Sequence, residues 1–123
     1  MYRQILVDED HTKFQRIVCR DDPTCPLETY ELRTVTYGTS SASFLATRAL
    51  KQLSLEEASS FPVGSKVVAT DFYVDDLLTG ADTNGTVRKV FTEVNTILKG
   101  GFTLRKWASN DVNLLTKLLP QWY

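Results

Sequence analysis

The sequence has few of the side chains that form disulfides or bind zinc. It contains one His and two Cys among 123 residues, which is fewer than the four Cys or His ligands of a structural zinc site. Cys19 and Cys25 bracket a turn and could approach one another, but we expect an intracellular setting that keeps thiols reduced. We therefore interpret both as structural or incidental, and His11, in an acidic loop, as a solvent-exposed turn residue.

The sequence also lacks an excess of positive charge and any long apolar run. Its 14 Lys and Arg and 15 Asp and Glu give a formal net charge of −1, without the basic surplus of a free-standing nucleic-acid binder. No stretch approaches the ~18 apolar residues of a membrane helix, and the N-terminus has no signal-peptide pattern. We expect an intracellular, cytoplasmic protein with no membrane partner.

The length and composition suit one small globular domain. With 123 residues, 42% of them hydrophobic, the chain can bury roughly two-thirds of its unfolded surface around one core. There is no internal repeat and no low-complexity tract. We predict a single domain over residues 1–123.

Two adjacent acids, Asp75 and Asp76, stand out because apolar, strand-forming residues flank them in the segment 71–80. An isolated carboxylate removed from water costs several kcal/mol, so such a pair favours a solvated, paired or cation-bound position. Alternation along a straight strand would send the two side chains to opposite faces. Both can serve one site at a tight turn between strands 71–74 and 77–79, where hard oxygen ligands suit Mg²⁺. An ordinary solvated hairpin tip, or Asp75 as a helix cap, remains an alternative.

The remaining pattern predicts strands and amphipathic helices in alternation. Strands are predicted at residues 4–7, 14–20, 30–37 and 102–107. Apolar residues at helical spacing predict helices with the stripes Ala42, Leu45, Ala46, Ala49, Leu50, Leu53, then Val87, Val90, Phe91, Val94, Ile97, Leu98, then Leu114, Leu115, Leu118, Leu119. This order predicts an α+β fold, an antiparallel sheet with helices packed on one face.

Local signals mark where these helices begin and end. Ser40 or Ser41, Asp82 or Thr83, and Asn110 or Asp111 are the candidate N-caps, and Gly100-Gly101 stops the second stripe. Ser54 and Glu57 have capping-box spacing and predict a further short helical turn, which residues 61–64 interrupt.

The segment Tyr73-Val74-Asp75-Asp76 resembles the catalytic Tyr-x-Asp-Asp motif of reverse transcriptases. The wider segment 71–81, and residues 100–110 after it, resemble the BEL/Pao group of LTR retrotransposons. The resemblance implies a polymerase-palm-like fold and Mg²⁺-dependent DNA synthesis on RNA and DNA templates by nucleotidyl transfer. Asp75 and Asp76 would be the catalytic acids and the ligands of two Mg²⁺ ions.

The same resemblance implies a nucleotide pocket. Residues 1–5 resemble the second half of the family's first catalytic motif, so Tyr2 would exclude a ribonucleotide's 2′-OH, and the motif's Asp is expected before Met1. Residues 35–43 resemble the next motif, so Tyr37 and Gly38 would line the sugar and base, although Ser43 stands where the family often has Pro. Tyr73 would also contact the nucleotide.

Residues 101–106 resemble a later palm motif whose Lys lies near the leaving pyrophosphate. Lys106 is the nearest candidate, with the register shifted by about one residue, and a solvated Arg105-Lys106 pair is the alternative. Trp107 and Trp122 are better explained by packing than by base stacking.

The resemblance implies a palm fragment truncated at both ends, which we expect to be inactive alone because the first catalytic Asp is missing. Its partners would be template-primer, deoxynucleotide triphosphates and the rest of the polyprotein, with fingers, thumb and RNase H, in a virus-like particle. The alternatives are a catalytically inactive remnant serving as a binding or structural module, or a truncated gene model. A ferredoxin-like RNA-binding domain is disfavoured by the charge balance.

Overall fold

The computed structural model describes residues 1–118, which fall into two compact units, Met1–Ala49 and a second that begins at Leu50. Short 3₁₀ helices cover Tyr2–Gln4 and Glu9–Phe14. The other elements are β1 (Arg16–Cys19), β2 (Glu28–Glu31), α1 (Ala42–Glu56), α2 (Pro62–Thr70), β3 (Phe72–Tyr73), β4 (Asp76–Leu77), α3 (Asn84–Leu98) and α4 (Val112–Leu118).

The prediction of an α+β fold with antiparallel strands is confirmed, but that of one sheet is wrong. Within residues 1–118 the strands form two separate two-stranded sheets, β1 with β2 and β3 with β4. The strands are only two to four residues long, and residues 102–107 form no strand. The predicted strand 4–7 contributes only an isolated antiparallel bridge between Leu6 and Thr34.

The first unit is built around the antiparallel pair β1 and β2, which is shorter than the predicted strands 14–20 and 30–37. Every residue of both strands is exposed. Beside them, Val35 is buried, and its N–H donates to the Ile5 carbonyl at 2.9 Å. Cys19 and Cys25 are exposed free thiols.

Helix α1 is confirmed, and Ala42, Ala46 and Leu50 of its stripe are buried, but Leu45 is 39% exposed. The helix also continues through Ser54, where a capping box was predicted to start a new turn. The Glu57 N–H donates to the Leu53 carbonyl at 3.1 Å, so the helical ladder is unbroken there. The buried Ser54 hydroxyl donates backwards to the Lys51 carbonyl at 2.8 Å instead of capping the residues that follow.

Helix α2 was not predicted, because Phe61-Pro62-Val63-Gly64 suggested an interruption. Pro62 in fact occupies the first turn, where its missing N–H costs nothing. The helix packs against α3, and the buried side chains of this core are Val67, Val68, Val90, Val94, Ile97 and Leu98.

Helices α3 and α4 confirm the other two predicted helices; the α3 stripe is buried or half-buried throughout, and in α4 Leu114 is buried and Leu115 half-buried. Thr83 is the N-cap of α3, its hydroxyl accepting from the Thr86 N–H at 3.2 Å, and α3 ends before Gly100. Asp111 accepts from the Asn113 N–H at 2.9 Å at the start of α4. The predictions for the Leu118 side chain, Leu119 and Trp122 lie outside the part of the chain that the structure describes.

The prediction of a strand over residues 102–107 is wrong, and the backbone conformation at Lys106 is one reason. Lys106 has a φ of +57°, which is incompatible with extended backbone. Trp107 packs its ring against Phe91 of α3 at a centroid distance of 4.7 Å. This segment is therefore held by side-chain packing on a helix, as predicted for Trp107, and not by a strand ladder.

Candidate metal and nucleotide site

Strands β3 and β4 form a tight hairpin that carries the two acids. Phe72 pairs with Leu77 and Tyr73 with Asp76, so Val74 and Asp75 form a two-residue loop. The prediction that the acids lie at a turn between antiparallel strands is confirmed, although the strands are shorter than predicted and Asp76 already belongs to β4.

The hairpin is anchored on one face and open on the other. Phe72 and Leu77, which are cross-strand partners, are half-buried. Tyr73 is 79% exposed, and its partner Asp76 is exposed on the same face because paired residues of antiparallel strands share a side. Asp76 and the Tyr73 ring are therefore presented to solvent together, and Asp75 in the loop is also exposed.

The loop stores backbone strain at Val74, whose φ is +57°. A two-residue hairpin loop with positive φ at its first position normally has Gly there, because a side chain crowds the backbone. A β-branched residue is an outlier in this region, and such strain costs about 1–3 kcal/mol. Strained backbone of this kind concentrates at functional sites, and sequence reasoning did not identify Val74 as strained.

Among residues 1–116, whose side chains the structure describes, the carboxylates of Asp75 and Asp76 have no hydrogen-bond or ion-pair partner, in contrast to Asp71, which accepts from the Thr70 hydroxyl at 2.7 Å. Two adjacent exposed carboxylates that form no ion pair within that part of the chain make a local negative site. Such a site suits a hard divalent cation.

Residues 1–118 contain no group of three or more His, Cys, Asp or Glu side chains that could hold a metal ion. Asp75 and Asp76 could therefore supply two carboxylates and no more. Mg²⁺ is commonly bound through one or two carboxylates together with water and substrate phosphates. The donor set fits an ion that arrives with a phosphate ligand, and it does not fit a metal cage made by protein alone.

Three of the predicted nucleotide-pocket residues lie in the first unit. The hydroxyls of Tyr2 and Ser43 are 3.3 Å apart, which brings the segment of the first motif beside the segment 35–43. Tyr37 is exposed. Gly38 has a φ of +91°, and a Cβ there would meet nothing within 4 Å, so the chain needs glycine for its conformation.

Tyr73, Asp75, Asp76 and Lys106 belong to the second unit. Lys106 is exposed and makes no ion pair within the described residues. Its role beside a pyrophosphate stays a prediction. Next to the hairpin lies a mainly apolar cleft of ≈ 490 Å³ that sequence reasoning did not find; its walls include Leu77, Leu78, Phe91, Trp107 and Leu114.

No protein-family model, curated protein or solved structure matches the chain. Within residues 1–118 no helix is both long enough and apolar enough to cross a membrane.

Proposed function

We propose that this chain is part of a reverse transcriptase of the BEL/Pao type, in which it contributes the palm segment that binds catalytic metal. The observation that carries the proposal is the hairpin itself: Asp75 lies in a strained two-residue loop, and Asp76 follows directly, opposite Tyr73. A tight turn is the arrangement that lets adjacent carboxylates serve one cation.

In this proposal Asp75 and Asp76 are the residues that would hold Mg²⁺ for an incoming deoxynucleotide, and the ion would supply charge neutralisation for phosphoryl transfer. Neither carboxylate has a hydrogen-bond or ion-pair partner among the described side chains, so both are available to a cation. The exposed ring of Tyr73, beside Asp76, offers a surface for the nucleotide or the primer end.

The other residues have the roles that the resemblance implies. Tyr2, held near Ser43 by the 3.3 Å contact of their hydroxyls, would exclude a 2′-OH. Tyr37 and Gly38 would line the sugar and base, and Lys106 would approach the pyrophosphate. Template-primer binding would depend on the rest of the polyprotein, because the net charge of −1 gives little counterion release.

A second candidate is a catalytically inactive module of the same ancestry. It is favoured by the absence of a third potential ligand beside Asp75 and Asp76 among the described residues. Such a module would keep the hairpin as a structural element and would bind divalent cations no better than other exposed acids do.

Metal binding separates these candidates without depending on activity. Mn²⁺ added to isotope-labelled protein should broaden the amide NMR signals of residues near 73–77 first. This selective broadening should disappear in Asp75→Asn and persist in Asp82→Asn, the matched control, because Asp82 is an exposed acid outside the hairpin. Broadening spread evenly over all exposed acids would favour the inactive module.

Primer extension then tests the role in DNA synthesis. The chain alone should not extend a primer. Two carboxylates do not make a complete metal site, and a net charge of −1 gives little affinity for template. In a complete parent polymerase, Asp75→Asn should abolish Mg²⁺-dependent extension while leaving thermal stability nearly unchanged. Undiminished extension in that variant would contradict the proposal.

A further inference from the structure

The outer edge of β1 carries backbone groups that β2 does not satisfy. The Leu32 N–H donates to the Gln15 carbonyl at 3.1 Å, and this fixes the phase of the alternating antiparallel ladder. Ile17 therefore exchanges hydrogen bonds with β2, whereas the N–H and C=O groups of Arg16 and Val18 point away from it. Neither residue makes another backbone hydrogen bond within residues 1–118.

The two edges of this small sheet differ in charge. Strand β2 carries Glu28 and Glu31, and charged residues on an edge oppose pairing with a further strand. Strand β1 carries one charge, Arg16, whose guanidinium is 2.7 Å from the Glu31 carboxylate of the same hairpin. The edge of β1 is therefore the less protected of the two.

The apolar side chains of the hairpin are also uncovered. Ile17 is 44% exposed, and its cross-strand partner Tyr30, on the same face, is 46% exposed. Val18, on the other face, is 62% exposed. An isolated two-stranded hairpin is marginal in water, and further strands that extend it with an apolar face stabilise it.

We propose that two copies of this chain associate by antiparallel pairing of β1 with β1. A two-fold axis at Ile17 places the two Ile17 side chains opposite each other and sets each Arg16 opposite Val18 of the other copy. This register uses the free backbone groups of Arg16 and Val18 and places no like charges opposite each other.

The resulting sheet has four strands in the order β2, β1, β1, β2. One face carries a continuous apolar row, in which Tyr30 and Ile17 of one copy meet Ile17 and Tyr30 of the other. Both outer edges are then β2 strands with their Glu28 and Glu31 side chains, so further growth is opposed and the assembly closes as a dimer.

Matched proline substitutions test this arrangement. Val18→Pro removes an N–H that points away from β2. The hairpin therefore keeps its own hydrogen bonds, but the outer edge of β1 loses a donor that pairing with another strand requires. Thr29→Pro makes the equivalent change on the edge of β2, since Thr29 pairs with Val18. In sedimentation equilibrium, the wild type and Thr29→Pro should show a concentration-dependent dimer and Val18→Pro only monomer, with unchanged far-UV circular dichroism. A wild type that stays monomeric, or a Val18→Pro variant that still dimerises, would overturn the proposal.

A crosslink tests the register. In a Cys19→Ser, Cys25→Ser background, Ile17→Cys should form a disulfide-linked dimer under mild oxidation with diamide. Opposed residues at such a position have Cα atoms about 4.5 Å apart, within the range of a disulfide. Thr29→Cys in the same background should remain monomeric on a non-reducing gel. Equal crosslinking of both variants would show non-specific oxidation and contradict the two-fold pairing at Ile17.

Discussion

The carboxylate of Glu93 in α3 accepts a hydrogen bond from the backbone N–H of Gly64 in α2 at 2.7 Å. The N-cap of α2, Phe61, makes no side-chain capping bond, so this carboxylate from α3 satisfies a free N–H at the start of α2. A negative charge at a helix N-terminus is also favoured by the helix dipole. The contact joins two helices whose bonded residues are 29 positions apart in the sequence.

Replacing Glu93 should therefore destabilise the second unit. We expect Glu93→Ala to lower the free energy of unfolding by about 1–3 kcal/mol, because the buried Gly64 N–H loses its acceptor. Glu93→Gln should cost less, since its amide oxygen can still accept. Urea denaturation measures both. Lys89→Ala is the control: its ammonium lies 3.8 Å from the Glu93 carboxylate at an exposed position, so its loss should be small. A larger effect for Lys89→Ala than for Glu93→Ala would contradict this account.

Gly64 itself should not tolerate a side chain. A Cβ on Gly64 would lie 2.6 Å from the Cβ of Glu93 and 2.9 Å from its carbonyl carbon. We expect Gly64→Ala to destabilise the protein by about 1–3 kcal/mol through overpacking, despite the higher helix propensity of Ala. Gly85→Ala in α3 is the matched control, because its Cβ would approach nothing closer than 3.9 Å, and it should be neutral or stabilising. The melting temperatures of the two variants should change in opposite directions, or the decrease for Gly64→Ala should be clearly the larger.

Val74→Gly should relieve the strain of the hairpin loop. With a φ of +57°, the position favours Gly by about 1–3 kcal/mol, partly offset by the ~0.5–1 kcal/mol entropic cost of Gly in the unfolded chain. We expect a net gain in the free energy of unfolding, and Val74→Ala should give much less of it because its Cβ remains. Equal effects of the two variants in chemical denaturation would show that the loop is not strained at Val74.

Glu31 should make the stability of the first unit depend on pH. Its hydrogen bond from Arg16, and then that from Thr12, lower the pKa of the Glu31 carboxyl below its usual value near 4.5. A carboxyl group whose pKa is lower in the folded state stabilises the fold above its unfolded pKa. This stabilisation is lost as the pH falls through the folded pKa. On acidification below about pH 4.5, the free energy of unfolding of Glu31→Gln should therefore decrease less than that of the wild type. Near neutral pH the free energies of unfolding of the two proteins should change with pH in parallel. Urea denaturation of both proteins at acidic and at neutral pH, followed by far-UV circular dichroism, measures the difference.

Local sequence signals predicted much of the structure. Apolar spacing identified α1, α3 and α4, the caps Thr83 and Asp111 were among the predicted candidates, and the flanking strand formers placed Asp75 and Asp76 at a hairpin. These features depend on residues within a few positions of each other. A cap hydrogen bond and the spacing of an apolar stripe can therefore be predicted from the amino-acid sequence alone. The metal-binding role of the acids remains a prediction.

Other features were decided by contacts between distant residues. Helix α2 packs against α3 and receives a capping hydrogen bond from a carboxylate 29 residues away. Its one local signal, Pro62 at the first helical position, also suits an interruption, so Phe61-Pro62-Val63-Gly64 did not decide between the two. In the segment 102–107, where a strand was predicted, Trp107 instead packs its ring against Phe91 of α3. The α+β composition and the acidic hairpin follow from short-range patterns, so they were predictable from the amino-acid order. The division of the strands into two sheets depends on long-range packing, which outweighs the small local preferences of strands and could be recognised only in the folded chain.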